Sequence, residues 1–101
     1  MYVQYSNYVV LRFEWDIAKN ETNKSKHRVG FETARLIFDD PLHISFVDRV
    51  VDGELRWDAI GSVEGVVVLL VAHTHREEGS DEVVRIISAR LATRHERKLY
   101  E

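Results

Sequence analysis

The 101-residue sequence contains no cysteine, one proline and one methionine. The absence of cysteine excludes disulfide bonds, thiolate metal sites and a cysteine nucleophile, and it is compatible with a reducing cytoplasm. Hydrophobic residues make up 45% of the chain and charged residues 31%, which is ordinary for a globular protein. We therefore expect one folded domain over residues 1–101.

Long hydrophobic runs are also absent. The longest apolar run covers residues 66–72, whereas a membrane-spanning helix needs about 20 residues. The first nine residues are polar and aromatic, without the basic and apolar regions of a secretory signal. These features predict a cytoplasmic protein.

The charges are unevenly distributed, although the net charge is only −3. Residues 19–28 hold four basic residues against one acid, and residues 85–98 hold five against one. The segment between them, residues 39–64, holds seven acids against two arginines. If the two basic segments meet in the fold, they form a phosphate-binding surface; if they lie apart, they are solvated surface.

The first half of the chain reads as a strand followed by two helices. Val9–Phe13 has the composition of a short strand. Asp16 is a typical N-cap, so we predict a polar surface helix from there to about Arg28. Apolar residues at helical spacing predict a second helix over Phe31–Phe38, and Pro41 follows its end.

The second half reads as four strands and a final helix. Asp52-Gly53 and Glu64-Gly65 are turn signals, and Thr93 with Glu96 forms a capping-box pattern at the start of the last helix. Strands joined by short turns are antiparallel neighbours. The predicted fold is α+β: a four-stranded, mostly antiparallel meander sheet plus a short N-terminal strand, with two N-terminal helices and one C-terminal helix. The four strands are expected at His43–Val47, Leu55–Val63, Val66–Ala72 and Val83–Ala89.

Several segments together resemble the BrnT-type toxin family. The residues FEWD (13–16) open the first helix, and RIISARLAT with ERKLYE closes the chain. Between them, further residues follow the family pattern at the same spacing: Ala18, Lys19, Asn23, Lys26, His27, Phe31, Ala34, Phe38, Asp39, Asp40 and Pro41. The similarity covers roughly residues 13–101.

The resemblance implies a RelE-like ribonuclease fold and the role of toxin in a type II toxin–antitoxin system. It also implies a BrnA-type antitoxin partner, which carries a DNA-binding domain and represses the operon with the toxin bound. The chain departs from the pattern in two places. Residues 1–12 extend beyond the usual start, of which we take 1–9 as a variable extension, and Arg28 stands where many members have glycine.

Cleavage of RNA without metal or cofactor requires a base for the 2′-hydroxyl proton, an acid for the leaving 5′-oxygen and cations for the phosphorane. Arg85 and Arg56 lie inside predicted strands and are candidate catalytic residues, because arginine binds phosphate with a fork of donors. The alternatives are an ion pair of Arg85 with an acid such as Asp58, and simple exposure of Arg56. Arg90 is a candidate substrate-binding residue or a loop anchor.

The first helix carries three further candidates. His27 lies near its C-terminus, where the charged form of histidine is favoured, and is a candidate catalytic residue or a cap for backbone carbonyls. Lys19 and Lys26 are candidate substrate-binding residues, with solvated surface as the alternative.

His73 and His75 lie two apart on a strand and share a face. Because His73 is expected to end the central strand, it is a candidate catalytic acid or base, against the alternative of a hydrogen-bonded structural histidine. The pair could hold a metal only with a third ligand, and no such ligand stands out in the sequence. The motifs HExxH, GxGxxG and GxSxG and the P-loop are absent.

Three functions remain open from the sequence. The first is a metal-independent endoribonuclease toxin that cleaves RNA, arrests growth and is neutralised by its antitoxin. The second is a non-enzymatic module that binds a DNA-binding antitoxin as co-repressor. The third is a metal-dependent hydrolase built on His73 and His75, which a chelator would inactivate.

Overall fold

The computed structural model describes residues 2–6 and 9–101. In these ranges the chain forms one mixed sheet of six strands. Helical segments lie between the second and third strands, and one helix follows the last strand. The strands are β1 (Tyr2–Ser6), β2 (Val9–Glu14), β3 (Ile44–Val51), β4 (Glu54–Val63), β5 (Val67–Glu78) and β6 (Asp81–Leu91), and the helices are α1 (Ile17–His27), α2 (Phe31–Ala34) and α3 (Arg94–Tyr100).

The strands lie side by side in the order β1-β2-β6-β5-β4-β3. All neighbours are antiparallel except β2 and β6, which run parallel. The predicted α+β class and the antiparallel meander are confirmed. The predicted strand count is wrong, because residues 2–6 add a strand that pairs with β2. These residues belong to the segment 1–9, which we interpret from the sequence as a variable extension and for which we predict no strand.

Helix α1 begins and ends as its sequence predicts. The Asp16 side chain accepts a hydrogen bond from the Lys19 backbone N–H at 3.0 Å. Arg28 ends the helix with φ 62°, in the left-handed conformation that glycine adopts more readily. The arginine therefore occupies a position at which the family pattern often has glycine.

The second helix is shorter than predicted. It is α-helical only over Phe31–Ala34 and continues as a 3₁₀ turn over Arg35–Asp39. Phe31, Ala34, Ile37 and Phe38 nevertheless remain buried, as the apolar spacing indicated. The tighter turn keeps these side chains on the sheet while it brings Asp40 close to β4.

The core lies between α1–α2 and one face of the sheet. Phe13, Val71, Val84 and Ile86 point into it from β2, β5 and β6. Phe31 and Ile37 close it from the helical side. The opposite face of the sheet carries an open groove instead of a packed core, and a ligand could bind there.

Helix α3 is held by polar contacts, since none of its residues is buried. The predicted capping box between Thr93 and Glu96 is present. At the other end of α3, the Tyr100 hydroxyl donates to Asp40 at 2.5 Å. Partial burial alone would raise the pKa of Asp40, but the hydrogen bonds from Tyr100, Ser62 and Leu42 lower it to about 2.

No helix in the described ranges is long and apolar enough to cross a membrane.

Candidate functional site

An open groove of about 460 Å³ crosses the sheet face opposite the core. It runs over β3, β4, β5 and β6, and its floor consists of small and apolar side chains between arginines. Its lining residues are Asp48, Arg49, Val51, Arg56, Asp58, Leu70, Ala72, Ile87, Ser88 and Arg90.

The strand register explains why the groove has this shape. Asp58, Ala72 and Ser88 are cross-strand neighbours and form one row. Two of these three side chains are small, so the row makes a hollow. Because side chains on one face of a strand are two residues apart, Arg56 lies in the row on one side and Arg90 in the row on the other.

Arg85 stands on the same face beside this hollow. It is the cross-strand partner of Thr74 on β5 and of Glu14 on β2. Its side chain is exposed, not enclosed in a cleft. Within the described ranges it forms no ion pair, so the expected alternative of pairing with Asp58 is not found.

Arg56 lies deeper than Arg85. Its side chain is partly buried, and its Nε atom is buried without a hydrogen-bond partner in the described structure. A buried guanidinium N–H without a partner carries a desolvation cost that an incoming anion would relieve. The alternative of a simply exposed strand charge is therefore wrong for Arg56.

Helix α1 forms a second wall. A shallow hollow lined by Lys19, Lys26 and His27 shares Ile87 and Ser88 with the groove. The pairing of β2 with β6 ends at Glu14 and Arg85. Beyond this point, helix α1 instead of β2 lies beside β6. The helix that carries the first basic segment thus contacts the strand in which the second basic segment begins.

Among these residues, Arg90 is already engaged. Its guanidinium donates to both carboxylate oxygens of Glu96, at 2.7 and 2.9 Å. This pair raises the pKa of Arg90 and lowers the pKa of Glu96 to about 2. Arg90 therefore anchors α3 to β6, which is the second of the two roles that its position suggested.

Asp58 is the residue that sequence reasoning missed as a member of the site. It lines the groove without an ion pair or side-chain hydrogen bond in the described ranges. Burial and the nearby charge of Asp48 raise its pKa. The available signal was the alternation of β4, which places Asp58 on the same face as Arg56.

The prediction that His73 ends the central strand is wrong. β5 continues to Glu78, and His73 is 0% exposed, on the core face opposite the groove. Its Nε2 atom lies 2.9 Å from His75 Nε2, and its ring packs edge-on against Phe38. Burial lowers the pKa of His73 to about 4. This is the environment of a structural histidine.

His75 does not complete a metal site with His73. It lies 2.8 Å from a carboxylate oxygen of Glu82 and packs against Trp57. In the part of the chain that the structure describes, no group of three or more histidine or acidic residues is arranged to hold a metal ion.

Fold and groove together define a class: a small α+β protein with an arginine-lined groove across an antiparallel sheet. The model of the family described as "Ribonuclease toxin, BrnT, of type II toxin-antitoxin system" matches residues 15–96. Because the match covers most of the chain, the protein belongs to this family of ribonuclease toxins, and the resemblance in its sequence is confirmed. Membership implies an antitoxin partner.

A solved structure supports the fold. The crystal structure of the Brucella abortus ribonuclease toxin BrnT matches with a TM-score of 0.57 and 24% identity, over 83% of this chain and 99% of that chain. At this identity the likeness shows the fold alone. No curated protein matches the chain.

Proposed function

We propose that the protein is a metal-independent endoribonuclease toxin that cleaves RNA in the groove and thereby arrests growth. The observation that carries this proposal is the position of Arg56 and Arg85. Both lie on one face of the sheet without ion pairs in the described ranges, beside a hollow with small side chains. Two uncommitted guanidinium groups beside a hollow suit the oxygens of a phosphodiester.

The remaining candidates take roles that follow from their positions. Lys19 and Lys26 on the α1 wall contact the RNA backbone beyond the hollow, where exposed amines contribute charge. His27 is half-buried on the same wall and is the proposed donor of the proton that the leaving 5′-oxygen takes. Arg90, at the edge of the groove, fixes helix α3 to β6 through its ion pair with Glu96. His73 has no catalytic role in this proposal.

The acidic residues of segment 39–64 do not all lie in the groove, so they do not together repel RNA from it. Asp48 and Asp58 lie in the groove, whereas Asp39, Asp40 and Glu64 line a different hollow near Tyr100. These five acids are thus split between two sites, and the lining of the groove itself includes three arginines, Arg49, Arg56 and Arg90.

Growth arrest in cells tests the proposal. Expression of the wild-type protein should stop growth, and Arg56→Ala or Arg85→Ala should relieve the arrest at equal protein level. Arg97→Ala is the matched control, because Arg97 is exposed on α3. Arrest that persists in both groove variants would refute the assignment of the site.

We further propose that a BrnA-type antitoxin neutralises the protein, and that operator DNA is contacted only through this partner. Family membership supports an antitoxin but leaves its type to experiment. Co-expression with an adjacent BrnA-type gene should restore growth and yield a stable complex on purification. A purified toxin that binds operator DNA alone would contradict the indirect role.

The alternative of a non-enzymatic co-repressor makes the opposite prediction. In that case the wild-type protein would form the antitoxin complex and repress transcription, yet cleave no RNA and cause no growth arrest.

A further inference from the structure

Two carboxylates line the groove, those of Asp48 and Asp58. Asp58 sits at one end of the row whose other members are Ala72 and Ser88. Ala72 and Ser88 on the β5 and β6 side of Asp58 are small, so a ligand in the hollow can approach it from that side. Its edge-strand neighbour across the sheet is Phe46 on β3.

The other acids around the groove are already paired. Asp48 lies 2.6 Å from Arg49, Glu96 binds Arg90, and Glu14 is paired with Arg76. Asp58 has no such partner in the described ranges. Of the two acids that line the groove, Asp58 is therefore the one that is free to accept a proton.

We propose that Asp58 is the general base that takes the proton from the attacking 2′-hydroxyl. This inference rests on the proposed RNA cleavage. A phosphate held by Arg56 and Arg85 would lie beside the hollow, and the hollow would receive the ribose that precedes it. Asp58 then faces the 2′-oxygen, while the α1 wall with His27 lies on the other side of Ser88.

The proton and the bonds balance without a further reactant. The 2′-oxygen forms a bond to phosphorus as its proton passes to the Asp58 carboxylate. The bond between phosphorus and the 5′-oxygen breaks, and that oxygen takes a proton from His27. The products are a 2′,3′-cyclic phosphate and a 5′-hydroxyl. Proton return from Asp58 to His27 through solvent restores the starting state.

The surroundings of Asp58 suit this role. Burial and the charge of Asp48 raise its pKa, while Arg90 and Arg49 act in the opposite direction. A carboxylate with a raised pKa is a stronger proton acceptor than an exposed aspartate. The charged groups that face Asp58 from the neighbouring elements are Asp48 and Arg49 on β3, Arg56 on β4, Arg90 on β6 and Glu96 on α3.

The direct test compares Asp58→Asn with the wild type in single-turnover cleavage of an RNA that the wild type cuts. We expect a loss of roughly 10²–10⁴-fold in rate, the range of a general base. Affinity for a fully 2′-O-methylated RNA, which cannot be cleaved, should change by less than about threefold, since phosphate contacts remain. Asp52→Asn, in the exposed β3–β4 turn, is the control.

A second variant tests the role without touching Asp58. The wild-type rate should rise with pH as Asp58 ionises. Asp48→Asn removes the charge that raises the pKa of Asp58, so this rise should move to lower pH. Asp52→Asn should leave it in place.

The possible results distinguish failure of the proposed role of Asp58 from failure of the proposed RNA cleavage. A wild-type protein that cuts no RNA overturns both. An active wild type whose Asp58→Asn variant cuts within about threefold of its rate, or whose pH profile ignores Asp48→Asn, overturns the role of Asp58 alone.

Discussion

The side-chain amide of Asn23 pairs with both backbone groups of Ala89. Its Nδ2 atom donates to the Ala89 carbonyl at 2.8 Å, and its Oδ1 atom accepts from the Ala89 N–H at 3.1 Å. The same Nδ2 atom also donates to the Val29 carbonyl at 2.8 Å. One buried helix residue thus completes the edge of β6 where β2 no longer covers it, and it holds α1 beside the groove.

Loss of this amide should destabilise the fold. We expect Asn23→Ala to lower the free energy of unfolding by roughly 2–4 kcal/mol, because three buried backbone contacts lose their partner. Urea denaturation followed by circular dichroism measures the change, with Ser25→Ala on the exposed side of α1 as the control. A loss below about 0.5 kcal/mol would show that Asn23 does not hold the helix.

The buried His73 should make stability depend on pH in mildly acidic solution. Its pKa is about 4 in the fold against 6.5 when exposed, because burial disfavours the charged ring. The unfolded chain therefore binds the proton more readily, and stability that is complete above pH 6.5 falls progressively towards pH 4.

His73→Leu should remove most of this dependence, which amounts to about 2–3 kcal/mol. Unfolding free energies measured across the interval check it, with the exposed His95→Gln as control. The structural role of His73 would be wrong if the variant kept the full slope.

The stabilising effect of the Arg90–Glu96 pair should also depend on pH, over a lower pH range than the effect of His73. The hydrogen bonds from Arg90 lower the pKa of Glu96 from 4.5 to about 2. Its stabilising effect is therefore present above pH 4.5 and is lost as the pH falls towards 2. Glu96→Gln should cost about 1–2 kcal/mol near neutral pH and much less near the lower limit.

Unfolding measured at both ends of this range tests the pair. Glu77→Gln, an exposed carboxylate without an ion pair in the described ranges, is the matched control. An equal cost at both pH values would assign the effect of Glu96→Gln to packing.

Local patterns in the sequence predicted much of the fold. Asp16 and Thr93 marked the helix starts correctly, and the turn at Asp52-Gly53 forms with both residues at positive φ. The ends of the strands were predicted less accurately than the starts of the helices. β5 and β6 extend through the charged segment around Gly79, because cross-strand pairing continues where the sequence suggests a loop.

The site was predictable only in part, because its assembly depends on long-range register. Arg56 and Arg85 were visible as charges within strands. The position of His73 on the core face follows from the register of β5 against β4 and β6, which the local sequence does not reveal. Asp58 borders a hollow because its row continues with the small residues Ala72 and Ser88, which are far from it in the sequence.

The most direct test of the central claim is cleavage of RNA by the purified protein in the presence of a metal chelator. The wild type should produce fragments that end in a 2′,3′-cyclic phosphate, and the Arg56→Ala/Arg85→Ala double variant should produce none while it remains folded. Absence of cleavage by the wild type, cleavage that the chelator abolishes, or full activity in the double variant would contradict the account.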